Sequence, residues 1–483
     1  MLLKRFYHDG LAQASYLVGC LETGEALVVD ANRDVEQYVA AAAAHGLRVT
    51  KVTETHIHAD YVSGSRELAH VTDAELLLSG EGGPDWQYAF AKAAGARLLH
   101  DGDHFMVGHV RVDVVHTPGH TPEHLIFVVT DTEASKRPLG AFTGDFVFVG
   151  DVGRPDLLER AAGIEGTMRA GAKLLFESLR RLTEHYPDHL QLWPGHGAGS
   201  ACGKSLGAVP QSTLGYEKLV NWAFQIDNET RFVEAVLDGQ PDPPTYFPLM
   251  KRINRDGPVL LGGLPVPPQR AAPDLAHVVA HGDVVVDLRR QEHFASGHIS
   301  GTINIPLNRG FVGYAGWLLP YDRDIYLLAD TDDDRLARQA AAELAMIGMD
   351  RVAGWFGADA FGVWSLGGHE LATMRQPTAR ELAGRVERGE VDVIDVRAES
   401  EWQAGHIPEA TLVPLGHLSA AVRDRPRDQP LVLVCRSGAR SGIGASILAA
   451  SGFTAVSNLR DGMLAWERAE LPVERETPAL AEP

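Results

Sequence analysis

The sequence predicts an α/β protein made of one larger domain and two smaller ones. Three observations predict it. Strands alternate with a few helices over residues 1 to about 240. A Pro- and Gly-rich stretch, QPDPPTYFP and then GPVLLGGLPVPPQ, follows as a connector. The remainder contains an internal repeat, VVVDLRRQEHFASGHISGTINIP at Val284–Pro306 and VDVIDVRAESEWQAGHIPEATLVP at Val391–Pro414. The expected organisation is a first domain over 1–240, a linker over 241–269, and two α/β units over 270–370 and 375–475.

In the first domain, Ala26–Asp30 reads as a buried strand and Asp34–His45 as a helix closed by Gly46. Val49–Glu54, Val110–Val115, Leu125–Thr130, Leu139–Phe142 and Leu190–Trp193 follow as strands. In the repeats, Asp287 and His298 are 11 residues apart, as are Asp395 and His406. Each copy continues into a second apolar strand and a helix. A break over Gly367–Pro377 separates the copies.

Composition narrows the function classes. The 483 residues are 45% hydrophobic and 22% charged, the balance of a globular chain. With 64 acidic against 44 basic side chains the net charge is −20, and no basic patch is segregated. Nucleic acid and anionic membrane surfaces are therefore excluded as expected partners. No apolar run reaches bilayer length, and the first residues carry no signal-peptide core. Cys20, Cys202 and Cys435 are too few to staple a fold of this size, so a reducing cytoplasm is expected.

Four polar clusters each follow a predicted strand: Thr55-His56-Ile57-His58-Ala59-Asp60-Tyr61, His116-Thr117-Pro118-Gly119-His120-Thr121, Thr143-Gly144-Asp145 and Pro194-Gly195-His196-Gly197. Loops at strand ends converge while the strands stay rigid, and histidine with carboxylate is a ligand set for a divalent metal. The combination resembles the metallo-β-lactamase superfamily, which implies a four-layer αββα sandwich over about the first 230 residues. In the hydrolases of that superfamily the first motif ends in a histidine that helps hold a second metal. Tyr61 stands there, and a phenol keeps its proton until about pH 10. The departure disfavours two-metal hydrolysis. Resemblance to persulfide dioxygenases of this fold implies one Fe(II) per chain on His56, His120 and Asp145. His58, Asp60 and His196 would orient those ligands or contact substrate, with His58 a fourth ligand in the alternative. Arg154 either receives an anionic substrate tail or forms a structural ion pair, and Cys202 either contacts a persulfide or fills the core.

Cys435-Arg436-Ser437-Gly438-Ala439-Arg440 follows the apolar strand Leu431–Val434 and opens a helix. Curled backbone N–H groups, the helix dipole and the two arginines all favour a thiolate, the nucleophilic form. Cysteine phosphatases space the arginine one residue further away, and the shorter ring here suits sulfur better than phosphate. With Asp395-Val396-Arg397 and Gly405-His406-Ile407-Pro408 the loop resembles the rhodanese family. That implies a persulfide on Cys435, cradled by Arg436, Ser437 and Gly438 and held with its anionic donor by Arg440 and Arg397. In the first repeat the strand alignment places Asp330 opposite Cys435, so an inactive rhodanese-like unit is expected over 270–370.

The domain order resembles the multidomain persulfide dioxygenase–sulfurtransferases of bacterial sulfide detoxification. The resemblance implies oxidation of a low-molecular-weight thiol persulfide by O₂ to sulfite and thiol, then transfer of sulfane sulfur from Cys435 to sulfite, giving thiosulfate. A homo-oligomer, dimer or tetramer, is expected. Two rival readings stand beside it: a zinc thioester hydrolase of the glyoxalase II type fused to a sulfurtransferase, and a non-catalytic sulfur-relay module.

Overall fold

The computed structural model describes residues 1–162 and 166–475. The chain divides into two compact units, Met1–Pro265 with Ala342–Gly348, and Val266–Ala341 with Met349–Pro483.

The first unit holds two six-stranded sheets. One contains β1 (Leu2–His8), β2 (Gln13–Cys20), β3 (Glu25–Val29), β4 (Arg48–Thr53), β5 (Glu75–Ser79) and β6 (Arg97–Leu99), hydrogen-bonded in that order. The other contains β7 (His104–Val107), β8 (Val110–His116), β9 (Leu125–Asp131), β10 (Gly140–Gly144), β11 (Gln191–Pro194) and β12 (Ser212–Thr213), also in serial order. Side-chain alternation builds the layers. Leu27 and Val29 of β3, with Leu125, Phe127 and Val129 of β9, share the core between the sheets. Ala26 and Val28 turn instead to the helices Glu36–Ala43 and Ser65–Thr72. Ile126 and Val128 turn to the helices Thr167–His185 and Glu229–Leu237. Helices on both outer faces of two sheets make the αββα sandwich.

The second unit holds two four-stranded parallel sheets. They comprise β13 (Val284–Asp287), β14 (Ile303–Asn304), β15 (Ile325–Leu328) and β16 (Val352–Phe356), then β17 (Asp392–Asp395), β18 (Thr411–Leu412), β19 (Leu431–Val434) and β20 (Val456–Asn458). The strand orders are β14-β13-β15-β16 and β18-β17-β19-β20, so the sequence repeat is one topology used twice. In the second copy Leu431 and Leu433 face one apolar cluster and Val432 and Val434 another, the pattern of a sheet covered on both sides.

Two expectations are corrected. Asp287 pairs with Leu328 and Asp395 with Val434, so the residue in register with Cys435 is Ala329, and Asp330 matches Arg436. The earlier alignment was one residue out, because an apolar run shows where a strand lies but not where it pairs. A methyl group, like a carboxylate, offers no sulfur nucleophile. The stretch read as a linker over 241–269 contains the helix Phe247–Asp256, whose Phe247, Met250 and Asn254 are buried. Beyond it, the buried Glu67 carboxylate accepts the backbone N–H groups of Leu261, Gly262 and Gly263 at 3.0, 2.8 and 3.3 Å. Among the described residues no helix is long and apolar enough to cross a membrane.

Phe127 is fully buried between the sheets, with its ring centroid 6.4 Å from that of Phe105. Phe127→Ala is expected to destabilise the sandwich by about 3–5 kcal/mol. Calorimetry should show a lowered midpoint for the transition of the first unit.

Candidate metal centre and sulfur-transfer loop

The polar clusters of the first unit meet at the ends of β4, β8, β10 and β11. Nε2 of His56 and Nε2 of His120 lie 3.9 and 3.5 Å from Oδ2 of Asp145. The three ligand atoms fall within 4.8 Å of one another, and all three residues are buried. Their remaining nitrogens are spoken for. His56 Nδ1 is 3.0 Å from Thr55 Oγ1, and His120 Nδ1 is 3.0 Å from the Arg154 carbonyl, to which it donates as a neutral imidazole. Such bonds fix the ring orientation and leave the Nε2 lone pair free. Burial, reinforced for His56 by neighbouring imidazoles, holds both rings below their ordinary pKa. Both oxygens of Asp145 and Nε2 of His56 are buried without a hydrogen-bond partner. Orphaned acceptors of this kind are costly unless a cation meets them, so the residues present fit a divalent metal. A Cβ at Gly195 would stand 2.9 Å from Asp145 Oδ1, which explains the glycine before His196.

His58 stands outside that group. Its Nε2 lies 3.1 Å from Asp30 Oδ1, and although burial opposes the charge, the Asp30 carboxylate pulls the imidazole up to about 9. Tyr61 donates its O–H to the Asp30 carbonyl at 3.2 Å, and burial keeps that phenol protonated well past its ordinary range. Asp60 and His196 form a second pair, Oδ2 to Nε2 at 3.3 Å, with His196 Nε2 also 3.5 Å from Asp145 Oδ1. Cys202 joins them, so that Asp60, His196 and Cys202 likewise bring ligand atoms within 4.8 Å. Burial and then the Asp145 and Asp60 charges push its thiol well above the ordinary range. Arg154 is fully buried, bidentate to Asp156 at 2.8 and 2.7 Å and bonded to the Ala201 carbonyl at 3.1 Å. Of its two readings the structure takes the ion pair. The guanidinium ties the Arg154 backbone, whose carbonyl meets His120 Nδ1, to the Cys202 loop.

Sequence reasoning missed the roles of Asp30 and Asn254. Asp30 sits at the end of β3 beside β4, so the strand-end rule that found His56 also points to it. Asn254 had no signal, lying almost two hundred residues further on. Its Nδ2 donates to the carbonyls of His58 and Tyr61 at 2.8 and 2.7 Å, and its Oδ1 accepts the Ser63 N–H at 2.9 Å. One buried amide thus holds the loop that carries His56.

In the second unit Cys435 ends β19 and is 1% exposed. Its Sγ accepts the Gly438 N–H at 3.2 Å and the Ser441 hydroxyl at 3.3 Å. Gly438 has φ +89°, the left-handed turn that aims its N–H back at the sulfur. Arg436 and Ser437 are exposed, while Arg440 is bidentate to Glu401 at 2.6 and 2.7 Å. Burial raises Glu401, but the Arg440 hydrogen bonds outweigh it and hold the carboxyl below its usual range. Arg397 is corrected. Its guanidinium grips both oxygens of Asp395 and the Gly405 carbonyl at 2.8 Å. Arg289 makes the same contacts with Asp287 and the Gly297 carbonyl in the copy that has no cysteine. A device present in both copies serves the fold, not the sulfur. His406 stacks on Trp402 at 3.5 Å as His298 stacks on Phe294 at 3.9 Å, again in both copies.

Comparison with known proteins follows this geometry. The model of the metallo-beta-lactamase superfamily matches residues 8–196, and that of the rhodanese-like domain matches residues 378–469. The crystal structure of a metallo-beta-lactamase from Staphylococcus aureus subsp. aureus COL is 42% identical, covering 74% of this chain and 99% of that one, with a TM-score of 0.66. The chain belongs to the metallo-beta-lactamase superfamily. It joins that superfamily's domain to a C-terminal rhodanese-like domain. Among superfamily relatives, human mitochondrial persulfide dioxygenase ETHE1 is 28% identical over 41% of this chain and 68% of its own. The hydroxyacylglutathione hydrolase of Nitrosococcus oceani is 28% identical over 48% of this chain and 90% of its own. A probable metallo-hydrolase of Burkholderia pseudomallei is 31% identical over 32% of this chain, which spans 60% of that relative's length.

Asn254→Ala is expected to speed loss of bound metal to a chelator by about tenfold, the effect typical of groups supporting a metal ligand. The thermal midpoint of the second unit serves as the unchanged internal control.

Proposed function

We propose that the chain is an Fe(II)-dependent persulfide dioxygenase coupled to a sulfurtransferase. One iron per chain would sit on His56, His120 and Asp145. The observation that carries this reading is the donor set itself: two neutral imidazoles and one orphaned carboxylate, with Tyr61 protonated and engaged elsewhere. A ferrous ion held by two histidines and one carboxylate would activate O₂, the four electrons that reduce it coming from the persulfide sulfur. Thr55 and Arg154 hold the two rings so that Nε2 faces the site. The surrounding burial excludes bulk water from a reactive sulfur substrate. In the net reaction a thiol persulfide, O₂ and water yield thiol, sulfite and two protons. Cys435 would take the outer sulfur of another persulfide, releasing its thiol, and pass that sulfur to sulfite as thiosulfate. The relatives named persulfide dioxygenase support this reading.

A second reading rests on Asp60, His196 and Cys202, which supply a second cluster of donors where Tyr61 does not. It is two-metal hydrolysis of a thioester, as the hydroxyacylglutathione hydrolase relatives suggest. Anaerobic loading with Fe(II), then oxygen-electrode assays with glutathione, coenzyme A and bacillithiol persulfides, decides between them. We expect O₂ uptake with at least one persulfide, lost at least 100-fold in His120→Ala and Asp145→Ala and retained in Cys435→Ser. Two zinc ions per chain with thioester hydrolysis and no O₂ uptake would establish the second reading instead. Removing the metal by chelation should abolish O₂ uptake while leaving sulfur transfer from thiosulfate intact.

A further inference from the structure

The first repeat has lost its cysteine, yet its side chains reach the Cys435 loop. Gln291 opens the helix Gln291–Ser296, and its Nε2 donates to the Gly438 carbonyl at 2.9 Å. Asn458, from the second repeat's own β20, donates to the same oxygen at 3.0 Å. The Gly442 N–H, from the first turn of the helix that follows, also donates to it at 3.0 Å, so this oxygen is shared by donors from both repeats. The residue matters for the sulfur, because the N–H on the other side of the same Gly438 α-carbon meets Cys435 Sγ. Around it, Phe294 and Ala295, with Tyr314 and Leu318 of the helix Phe311–Leu318, pack into the apolar cluster that contains Cys435 itself.

The approach is close enough to select residues on both sides. A Cβ at Gly442 would run into the Gln291 amide, and one at Gly416 would run into the Trp317 ring. The position of Gln291 in the second repeat is Glu399, an exposed carboxylate. A carboxylate has no N–H to give a carbonyl and would repel it. The first repeat therefore carries an amide where the second carries a carboxylate, and that amide reaches across to the Gly438 carbonyl.

We propose that Gln291 of the cysteine-free repeat is a positioning residue for sulfur transfer, anchoring the Gly438 carbonyl and so holding the left-handed backbone of that residue with its N–H on the Cys435 sulfur. The first repeat then completes the second repeat's site and is not merely a spacer. The inference rests on the reading of Cys435 as the sulfur carrier. In the transfer tested below, the Cys435 thiolate attacks the outer sulfur of thiosulfate. The S–S bond breaks, sulfite leaves with the bonding pair, and cyanide then removes the sulfur as thiocyanate. Gln291 exchanges no atoms in this sequence; it holds the acceptor.

The test uses the full chain with thiosulfate as donor and cyanide as acceptor. Gln291→Glu keeps the side chain's size and removes the donor. We expect it to lower kcat about tenfold with KM for thiosulfate within twofold of the parent, and with the thermal midpoint of the second unit unchanged. Gly442→Ala, which displaces the amide, should lower kcat similarly. Because the new methyl fills the space that truncation vacates, Gln291→Ala combined with Gly442→Ala should be no slower than either alone. Unchanged kcat in Gln291→Glu, or fully additive losses in the double variant, would overturn the proposal. Cys435→Ser separates the two claims: if it still transfers sulfur, the carrier reading fails, whatever Gln291 does.

Discussion

A buried carboxylate with nothing to bond to sets the terms for the first unit. Both oxygens of Asp145 are out of water and without a hydrogen-bond donor. Leaving a charge in that state is among the most unfavourable arrangements a fold can hold, and a divalent cation relieves it. The rest of the centre follows from that requirement. His56 and His120 present neutral nitrogens to the same point because Thr55 and the Arg154 carbonyl occupy their other ring positions. Arg154 itself is neutralised by Asp156, so its charge does not compete for Asp145.

Support for this centre comes from distant parts of the chain. His56, His120 and Asp145 stand at or beyond the ends of β4, β8 and β10, but the loop after β4 is held by Asn254 from the helix Phe247–Asp256 and by Glu123, whose Oε1 accepts the Ile57 N–H at 2.8 Å. A side-chain amide that satisfies three backbone groups at once substitutes for the sheet pairing the loop lacks. His58 and Tyr61 are drawn the other way, onto Asp30. Two adjacent stretches of one motif thus serve different purposes, one for the metal and one for the backbone that carries it.

The two repeats act as an internal control. The Asp-x-Arg bridge to a Gly carbonyl and the aromatic–histidine stack occur in both, with and without a cysteine. They are the scaffold of the unit. What distinguishes the second copy is its loop: Cys435, the turned Gly438 and the Ser441 hydroxyl, against Ala329 followed by an acidic run in the first. Residues shared by both copies lose their claim to sulfur chemistry, and residues confined to one copy gain it.

The sequence by itself determined the α/β character, the twofold repeat and the polar clusters at the strand ends, because these are local. Alternating apolar residues make the strands, and motifs at strand ends stay at strand ends. It also pointed to Cys435 and the loop Cys435–Arg440, six consecutive residues that follow an apolar strand. Only the tertiary structure decided which polar residues spend their charge on one another. Arg154 and Arg397 look like anion receptors in a string of letters, and each is consumed by an aspartate two residues away. It alone decided strand register, which moved the match of Cys435 from Asp330 to Ala329. It also showed that Asn254 and Gln291 reach across long separations in the chain. A hydrogen bond made across such a separation is set by packing, and packing leaves no periodicity for a sequence to display.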